Sequence, residues 1–146
     1  GFEKYSVRLY NKSRSEKKSL MILFADLDKL KTINDEFGHE NGDIAIRSVA
    51  KALIRSKRKE DICTRFGGDE FILMGIRYTA KETEELVERI HRLLADDNRN
   101  NNYPYQITAS IGYFIIEPGN QISLQDAIDM ADHNMYRVKR KYMEQV

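Results

Sequence analysis

The sequence predicts an α/β sandwich, in which helices cover both faces of one sheet. Residues 20–25 are a continuous apolar run, which is typical of a strand buried on both faces. Longer segments carry apolar residues at helical spacing, as amphipathic helices do. These segments follow the order βααββαβ, with a further helix at each end, and this order favours helices packed on both sides of the sheet.

Composition limits the classes of protein to which the chain can belong. Its 146 residues fit one domain, over positions 1–146. Lys and Arg number 24 against 23 Asp and Glu, and this balance argues against nucleic-acid binding. The single cysteine, Cys63, excludes an internal disulfide and is expected in the core. Without a transmembrane-length apolar run or a signal peptide, we expect a cytoplasmic domain with no membrane contact, in a parent protein that is free to be anchored elsewhere.

The first half of the chain predicts three helices around the buried strand. Residues 2–17 form the first helix. Asp28 is the expected N-cap of a short helix that ends at Ile33. A longer helix follows over residues 43–56. Its predicted core face consists of Ile46, Val49, Ala50, Leu53 and Ile54.

The second half of the chain predicts two more long helices and one more strand. Thr79 and Glu82 have capping-box spacing and open the first of these helices. The polar, Asn-rich residues 96–104 are expected to form a loop, and residues 105–116 a strand. The last helix begins after Ser123.

A tight hairpin is expected between these two halves. Only Gly67, Gly68 and Asp69 separate the predicted strands at 62–66 and 70–77. The glycine pair has two explanations, and the sequence leaves both open. Either the turn needs positive φ, or a ligand approaches the backbone closely.

Carboxylates follow the buried strand and the hairpin. If the two strands are neighbours, Asp26 and Asp69 converge, with Glu70 beside them. Hard oxygen ligands at a strand edge suit Mg²⁺, which takes one or two carboxylates together with water and substrate phosphates. Each aspartate alone also fits a structural role in a turn or a helix cap, as Asp28 does.

The turn after Asp28 suits a phosphate group. The amides of the first turn of a helix favour an anion, and Lys29 and Lys31 add positive charge there. Asn34 and Asp43 follow; an aspartate can accept the paired N–H donors of guanine, which adenine lacks on that edge. The residues alone favour the simpler alternative, that Asn34 and Asp43 cap or end helices.

Four blocks together resemble the GGDEF family of diguanylate cyclases, over nearly the whole chain. They occur in the family's order, and the signature at 65–71 is intact. The blocks are Asp26-Leu27-Asp28-Lys29-Leu30-Lys31-Thr32-Ile33-Asn34-Asp35-Glu36-Phe37-Gly38-His39-Glu40-Asn41-Gly42-Asp43, Arg65-Phe66-Gly67-Gly68-Asp69-Glu70-Phe71, Ala109-Ser110-Ile111-Gly112, and a last helix with Ala131-Asp132, Met135-Tyr136 and Lys139.

The resemblance implies a reaction and a set of site residues. Asp26, Asp69 and Glu70 would be catalytic, and with the Leu27 carbonyl they would bind Mg²⁺ or Mn²⁺; Glu70 would assist the metal or help to activate the attacking 3′-hydroxyl. The implied substrate-binding residues are Lys29, Leu30, Lys31, Asn34, His39, Asp43, Gly67, Gly68 and Lys139.

The resemblance also implies a fold and partners. The family has a central, mainly antiparallel sheet similar to the palm of nucleotide cyclases and polymerases. Each domain holds one GTP, so a homodimer forms cyclic di-GMP and releases two pyrophosphates. Cyclic di-GMP also inhibits many members at a second site, which would fall here on Arg58, Asp61 and Arg89. A charged helix end is the alternative explanation for this segment.

Three departures from the family pattern bear on activity. The family's D-x-L-T-G-L-x-N-R segment is missing before Phe2, so we expect a C-terminal fragment without its lead-in or sensory region. Leu30 replaces a phenylalanine, and Tyr142-Met143-Glu144 replaces G-R-N. The competing hypothesis is a catalytically inactive domain that binds GTP or cyclic di-GMP and signals. The retained acids favour the enzyme, and Asp43 favours guanine over a mixed product.

Overall fold

The computed structural model describes residues 1–144 and contains nine elements. Among these residues, no helix is long and apolar enough to cross a membrane. The helices are α1 (Phe2–Ser15), α2 (Leu30–Phe37), α3 (His39–Ser56), α4 (Ala80–Asn101) and α5 (Leu124–Glu144). The strands are β1 (Leu20–Leu27), β2 (Ile62–Arg65), β3 (Glu70–Ile76) and β4 (Ala109–Ile116).

The four strands form one antiparallel sheet in the order β2-β3-β1-β4. β1 therefore lies in the interior of the sheet and is buried along its whole length, as its apolar run predicts. Its last residues pair on both sides, with Asp26 opposite Glu70 of β3 and Ser110 of β4. The predicted α/β sandwich, its element order and the hairpin are confirmed.

Alternate residues of β1 supply two separate cores. Met21, Leu23 and Ala25 pack with α3 and α4 on one face. Leu20, Ile22 and Phe24 pack with α1 and α5 on the other. Because successive side chains of a strand point to opposite faces, this continuous apolar run can serve two helical layers at once.

The N-cap prediction for Asp28 is wrong. The N-cap of α2 is Lys29, which has a φ of 59°. The Asp28 carboxylate is buried and accepts hydrogen bonds from Thr108 Oγ1 (2.8 Å) and Ser110 Oγ (2.7 Å). The helix also continues beyond Ile33. Asp28 thus joins β1 to β4, and partners distant in sequence outweigh the local capping preference.

The predicted loop over residues 96–104 is also wrong, because α4 continues to Asn101. The asparagines bond within the helix and across to the next segment: Asn101 bonds the Asp97 carbonyl, and Asn98 bonds both backbone groups of Ile107. Asn102 then ends the helix in the left-handed region. The following strand accordingly begins at Ala109 and not at residue 105.

Two smaller boundaries differ on α3. The helix begins at His39 and not at residue 43, directly after Gly38, whose φ is 91°. Ile54, expected on the core face, is exposed. Val49 and Leu53 are buried as predicted, while Ile46 and Ala50 pack at the edge of the core.

Candidate functional site

The signature hairpin joins β2 to β3 and is closed by backbone bonds. The amides of Phe66 and Gly67 donate to the Glu70 carbonyl at 2.8 and 3.3 Å. The Arg65 guanidinium donates to the Gly67 and Gly68 carbonyls and holds the turn from the side.

Neither signature glycine has a positive φ, so the conformational explanation for the pair is wrong. A Cβ added at Gly68 would meet no described atom within 4 Å, and one at Gly67 would lie 3.1 Å from Glu70 Oε2. The backbone conformation would therefore accept a side chain at either position. The remaining explanation is that the absence of side chains lets a ligand approach the backbone of the turn.

The three predicted catalytic residues lie at the same end of β1. Asp26 lies opposite Glu70 in the sheet, and the Leu27 amide donates to the Asp69 carbonyl at 2.9 Å. The pairing of β1 with β3 is what brings Asp69 next to Asp26. The structure thus meets the condition on which the predicted convergence depends.

Lys139 of α5 extends into this cluster. Its Nζ lies 3.1 Å from Asp26 Oδ2, 3.8 Å from Asp28 Oδ1 and 3.4 Å from the Leu27 carbonyl oxygen. The other Asp26 oxygen, Oδ1, is buried and has no hydrogen-bond partner within the described chain. One half of the Asp26 carboxylate is therefore available for a further ligand.

Burial and neighbouring carboxylates disfavour the charged forms of Asp26 and Glu70. Burial raises the pKa of the Asp26 carboxyl to about 7, against the lowering effect of Lys139 and together with the raising effect of Asp69. Burial, then the nearby carboxylates of Asp132 and Asp69, raises the pKa of Glu70. A cation beside these groups would favour their charged forms.

The donors of this cluster fit a hard divalent cation. The buried Asp26 Oδ1, the Leu27 carbonyl and the Asp69 carboxylate are oxygen donors of the kind Mg²⁺ prefers. Within residues 1–144, no three His, Cys, Asp or Glu side chains are grouped closely enough to hold a metal alone. The set is thus typical of a site that leaves other positions to water and substrate phosphates.

The turn before α2 lies beside these carboxylates. Lys29, in the left-handed conformation, and Lys31 are both exposed, and Lys31 pairs with Asp35 on the solvent side. Leu30 packs at the edge of the core and holds the turn against the domain. The Lys29 ammonium lies 5.7 Å from the centroid of the Tyr142 ring of α5, and the amides at the start of α2 are of the kind that favour an anion.

The predicted base-reading residues lie on α2 and α3. In the described chain neither Asn34 nor Asp43 caps a helix, since the N-caps of α2 and α3 are Lys29 and Gly38, so the capping alternative is wrong. Asn34 is half-buried, and a Cβ on Gly42 would overlap its Oδ1. Asp43 and His39 are exposed on the first turns of α3.

A second polar cluster gathers the predicted inhibitory-site residues. Asp61 is buried and accepts from the Arg58 amide and the Tyr78 hydroxyl. The Arg58 guanidinium lies 3.9 Å from the centroid of the Tyr78 ring and 2.9 Å from Glu82 Oε2. A cavity of about 300 Å³ beside it is lined by Ser56, Arg58, Tyr78, Glu82, Glu85, Leu86 and Arg89.

Sequence reasoning missed several residues of both clusters. The Ser110 hydroxyl, the Tyr78 ring and the Glu82 carboxylate approach only through tertiary packing. Gly42 was available as a signal, because a glycine in a helix is unusual and here it makes room for the Asn34 amide.

Comparison with known proteins adds a family to this geometry. The family model described as "Diguanylate cyclase, GGDEF domain" matches residues 1–145. Diguanylate cyclase A of Treponema denticola is 33% identical over 135 residues, which cover 89% of this chain and 35% of that protein. The probable diguanylate cyclase DgcJ of Escherichia coli is 36% identical over 118 residues, covering 81% and 23%. The chain thus spans 35% or less of these relatives' length.

Solved structures agree with the family model. The GGDEF domain of DgcB from Caulobacter crescentus, in complex with c-di-GMP, superposes with a TM-score of 0.86 at 27% identity, covering 96% of this chain and 83% of that one. A four-strand antiparallel sheet, an intact signature hairpin and paired carboxylates at the end of its inner strand agree with that likeness. The chain belongs to the GGDEF domain family of diguanylate cyclases.

Proposed function

We propose that this domain condenses two GTP molecules into cyclic di-GMP and two pyrophosphates, as a homodimer with Mg²⁺ or Mn²⁺. The buried Asp26 carboxylate carries the proposal, because one of its oxygens lacks a hydrogen-bond partner in the described chain, and the Asp69 carbonyl accepts a hydrogen bond from the amide of the next residue, Leu27. Family membership and curated relatives named as diguanylate cyclases support the same reaction.

In this proposal the carboxylates bind the cation, and one of them accepts the proton of the attacking hydroxyl. Asp26, Asp69 and the Leu27 carbonyl would hold a divalent cation, which when bound neutralises phosphate charge during in-line displacement. Glu70, whose pKa is raised, stands beside them and takes the proton of the attacking 3′-hydroxyl. The new bond joins O3′ to the α-phosphorus, and the bond to pyrophosphate breaks.

Binding residues around the carboxylates orient the nucleotide. Lys29, Lys31 and the free amides at the start of α2 bind the triphosphate, and Gly67 and Gly68 leave room for it. Asn34 and Asp43 bind the guanine edge, where Asp43 accepts the paired N–H donors.

Two copies of the domain are needed, because the product has two phosphodiester bonds and each chain supplies one carboxylate site. Each 3′-hydroxyl attacks the nucleotide held by the partner copy. Since GTP is the substrate, the activity belongs in the cytoplasm.

Cyclic di-GMP also binds at the second cluster and inhibits. Arg58 and Arg89 line the cavity there, and guanidinium groups pair well with guanine edges and phosphates. Asp61 holds the Arg58 backbone through its amide.

The test is turnover of GTP with Mg²⁺ by the full-length protein, with the product identified by mass. We expect cyclic di-GMP, and we expect Asp69→Asn to lower the rate at least about 100-fold, as removal of a group that stabilises transition-state charge does. Full turnover by Asp69→Asn would contradict the metal assignment. Tight GTP or cyclic di-GMP binding without product would favour the inactive signalling module.

A further inference from the structure

Lys139 occupies a position that a divalent cation would compete for. Its Nζ lies 3.4 Å from the Leu27 carbonyl oxygen, which the proposed metal site uses, and 3.1 Å from Asp26 Oδ2, on the carboxylate whose other oxygen that site uses. Asp28 Oδ1 lies 3.8 Å from the same Nζ. The ammonium is thus surrounded by oxygen acceptors, as a bound metal ion would be.

Charge makes the ammonium and a metal ion competitors. Asp26 is buried, and an ionised carboxylate there is costly without a counter-ion. Lys139, with only 22% of its side chain exposed, supplies that counter-ion from within the chain. Two cations on one carboxylate and one carbonyl oxygen repel each other strongly in a half-buried site, so these groups cannot hold both well.

The lysine can leave without movement of the fold. Its ammonium sits at the end of a flexible four-carbon stem, so a change of rotamer moves the charge while α5 stays in place. A triphosphate bound at the turn before α2 carries more negative charge than Asp26 and would attract the ammonium.

We propose that Lys139 is an internal counter-ion that holds the Asp26 carboxylate and the Leu27 carbonyl until nucleotide arrives, so that the divalent cation binds tightly only together with the triphosphate. This inference rests on the proposed function, because it takes Asp26 and the Leu27 carbonyl as metal ligands. It adds an order of binding: the nucleotide draws the lysine away, and the oxygens become free for the cation.

The test measures Mn²⁺ binding without nucleotide, by the electron paramagnetic resonance signal of free Mn²⁺. We expect Lys139→Met to bind Mn²⁺ about tenfold more tightly than the unaltered chain, because a competing positive charge is gone. Lys139→Gln should behave alike, and Lys139→Arg should stay at the unaltered level. Lys141→Met is the matched control, since it removes the same charge from an exposed position of the same helix.

The outcomes separate the two proposals. If Lys139→Met and Lys139→Gln both fold, by circular dichroism, and bind Mn²⁺ no better than the unaltered chain, the lysine proposal is wrong. The same holds if Lys141→Met tightens binding equally, because net charge would then explain the effect. If Asp26→Asn leaves Mn²⁺ binding to the GTP complex unchanged, the metal assignment itself fails, whatever the lysine variants do.

Discussion

At the scale of single residues, the two aspartates at the end of β1 differ in their surroundings. Asp28 is satisfied by two hydroxyls of the neighbouring segment. Asp26 keeps one buried oxygen without a hydrogen-bond partner in the described chain. A buried polar atom without a partner is costly in a folded protein, so it marks a position where a ligand would gain most. Satisfaction of hydrogen bonds, and not residue type, distinguishes the structural aspartate from the one proposed to bind a metal.

A substitution at Gly42 tests the proposed guanine-binding role of the adjacent Asn34. A Cβ at this position would overlap Asn34 Oδ1, so Gly42→Ala should displace the Asn34 amide from the guanine edge. We expect the KM for GTP to rise about tenfold, the cost of about one lost hydrogen bond in a buried site, with little change in kcat. Steady-state kinetics measures this.

Asn34→Ala provides the comparison for this prediction. If Gly42→Ala acts through Asn34, the KM for GTP of the double variant Gly42→Ala/Asn34→Ala should be no higher than that of Asn34→Ala alone. Additive losses in the double variant would show that Gly42 acts on the substrate by another route.

At the scale of elements, β4 and α5 approach each other closely at Gly112. A Cβ there would overlap the backbone of Asn134 and Met135 in α5. Gly112→Ala should therefore lower the free energy of unfolding by about 2–3 kcal/mol, as overpacking against a rigid backbone does. Urea denaturation measures the change. Gly68→Ala is the control, because its Cβ would meet no described atom within 4 Å, and an equal loss in both variants would contradict the packing explanation.

Elements with strong local patterns could be predicted from the sequence. The apolar run of β1 and the capping box of Thr79 and Glu82 produce the elements expected of them. The end of α4 could not be predicted, since Asn98 is held there by the backbone of Ile107, a contact that exists only after folding. Local asparagine content indicates a loop, and the tertiary bonds override it.

The candidate site also contains features that could be predicted from the sequence and features that could not. Asp26 and Asp69 were predictable as a pair, because a strand end and a hairpin in neighbouring strands meet at one edge of a sheet. The role of Asp28 was not, because Thr108 and Ser110 are far from it in sequence. The φ angles of Gly67 and Gly68 likewise depend on the bonds that close the hairpin.

At the scale of the whole molecule, β3 connects the two clusters. Glu70 begins the strand beside the carboxylates, and Ile76 ends it beside Arg58, whose guanidinium lies 3.4 Å from the Ile76 carbonyl oxygen. A strand of this length separates its ends by about 20 Å. Product bound at the proposed second site would therefore not occlude the carboxylates of the same chain.

If the second cluster binds product as proposed, Arg58 has to exchange partners first. It is paired with Glu82 in a half-exposed ion pair, so Glu82→Gln should tighten cyclic di-GMP binding by roughly threefold, the scale of an exposed ion pair. Glutamine can keep the capping-box bond to the Thr79 amide. Calorimetric titration with cyclic di-GMP measures the effect.

Two further variants check this prediction. Arg58→Ala should weaken cyclic di-GMP binding by at least about tenfold, since a charged hydrogen-bonding group is lost. Glu88→Gln, an exposed position on the same helix, should leave it unchanged. Unchanged affinity in Arg58→Ala would place the inhibitory site elsewhere.

The interior position of β1 also makes Asp26 less free to move than Asp69. β1 is bonded along both edges and covered on both faces, so its amides exchange with solvent only when the sheet itself opens. The hairpin before Asp69 is a surface turn held by a few backbone and Arg65 bonds. Asp26 therefore lies in the strand that opens most slowly, and Asp69 lies at the end of a surface turn. Local opening of that turn alone is enough to separate them, without any loss of the fold.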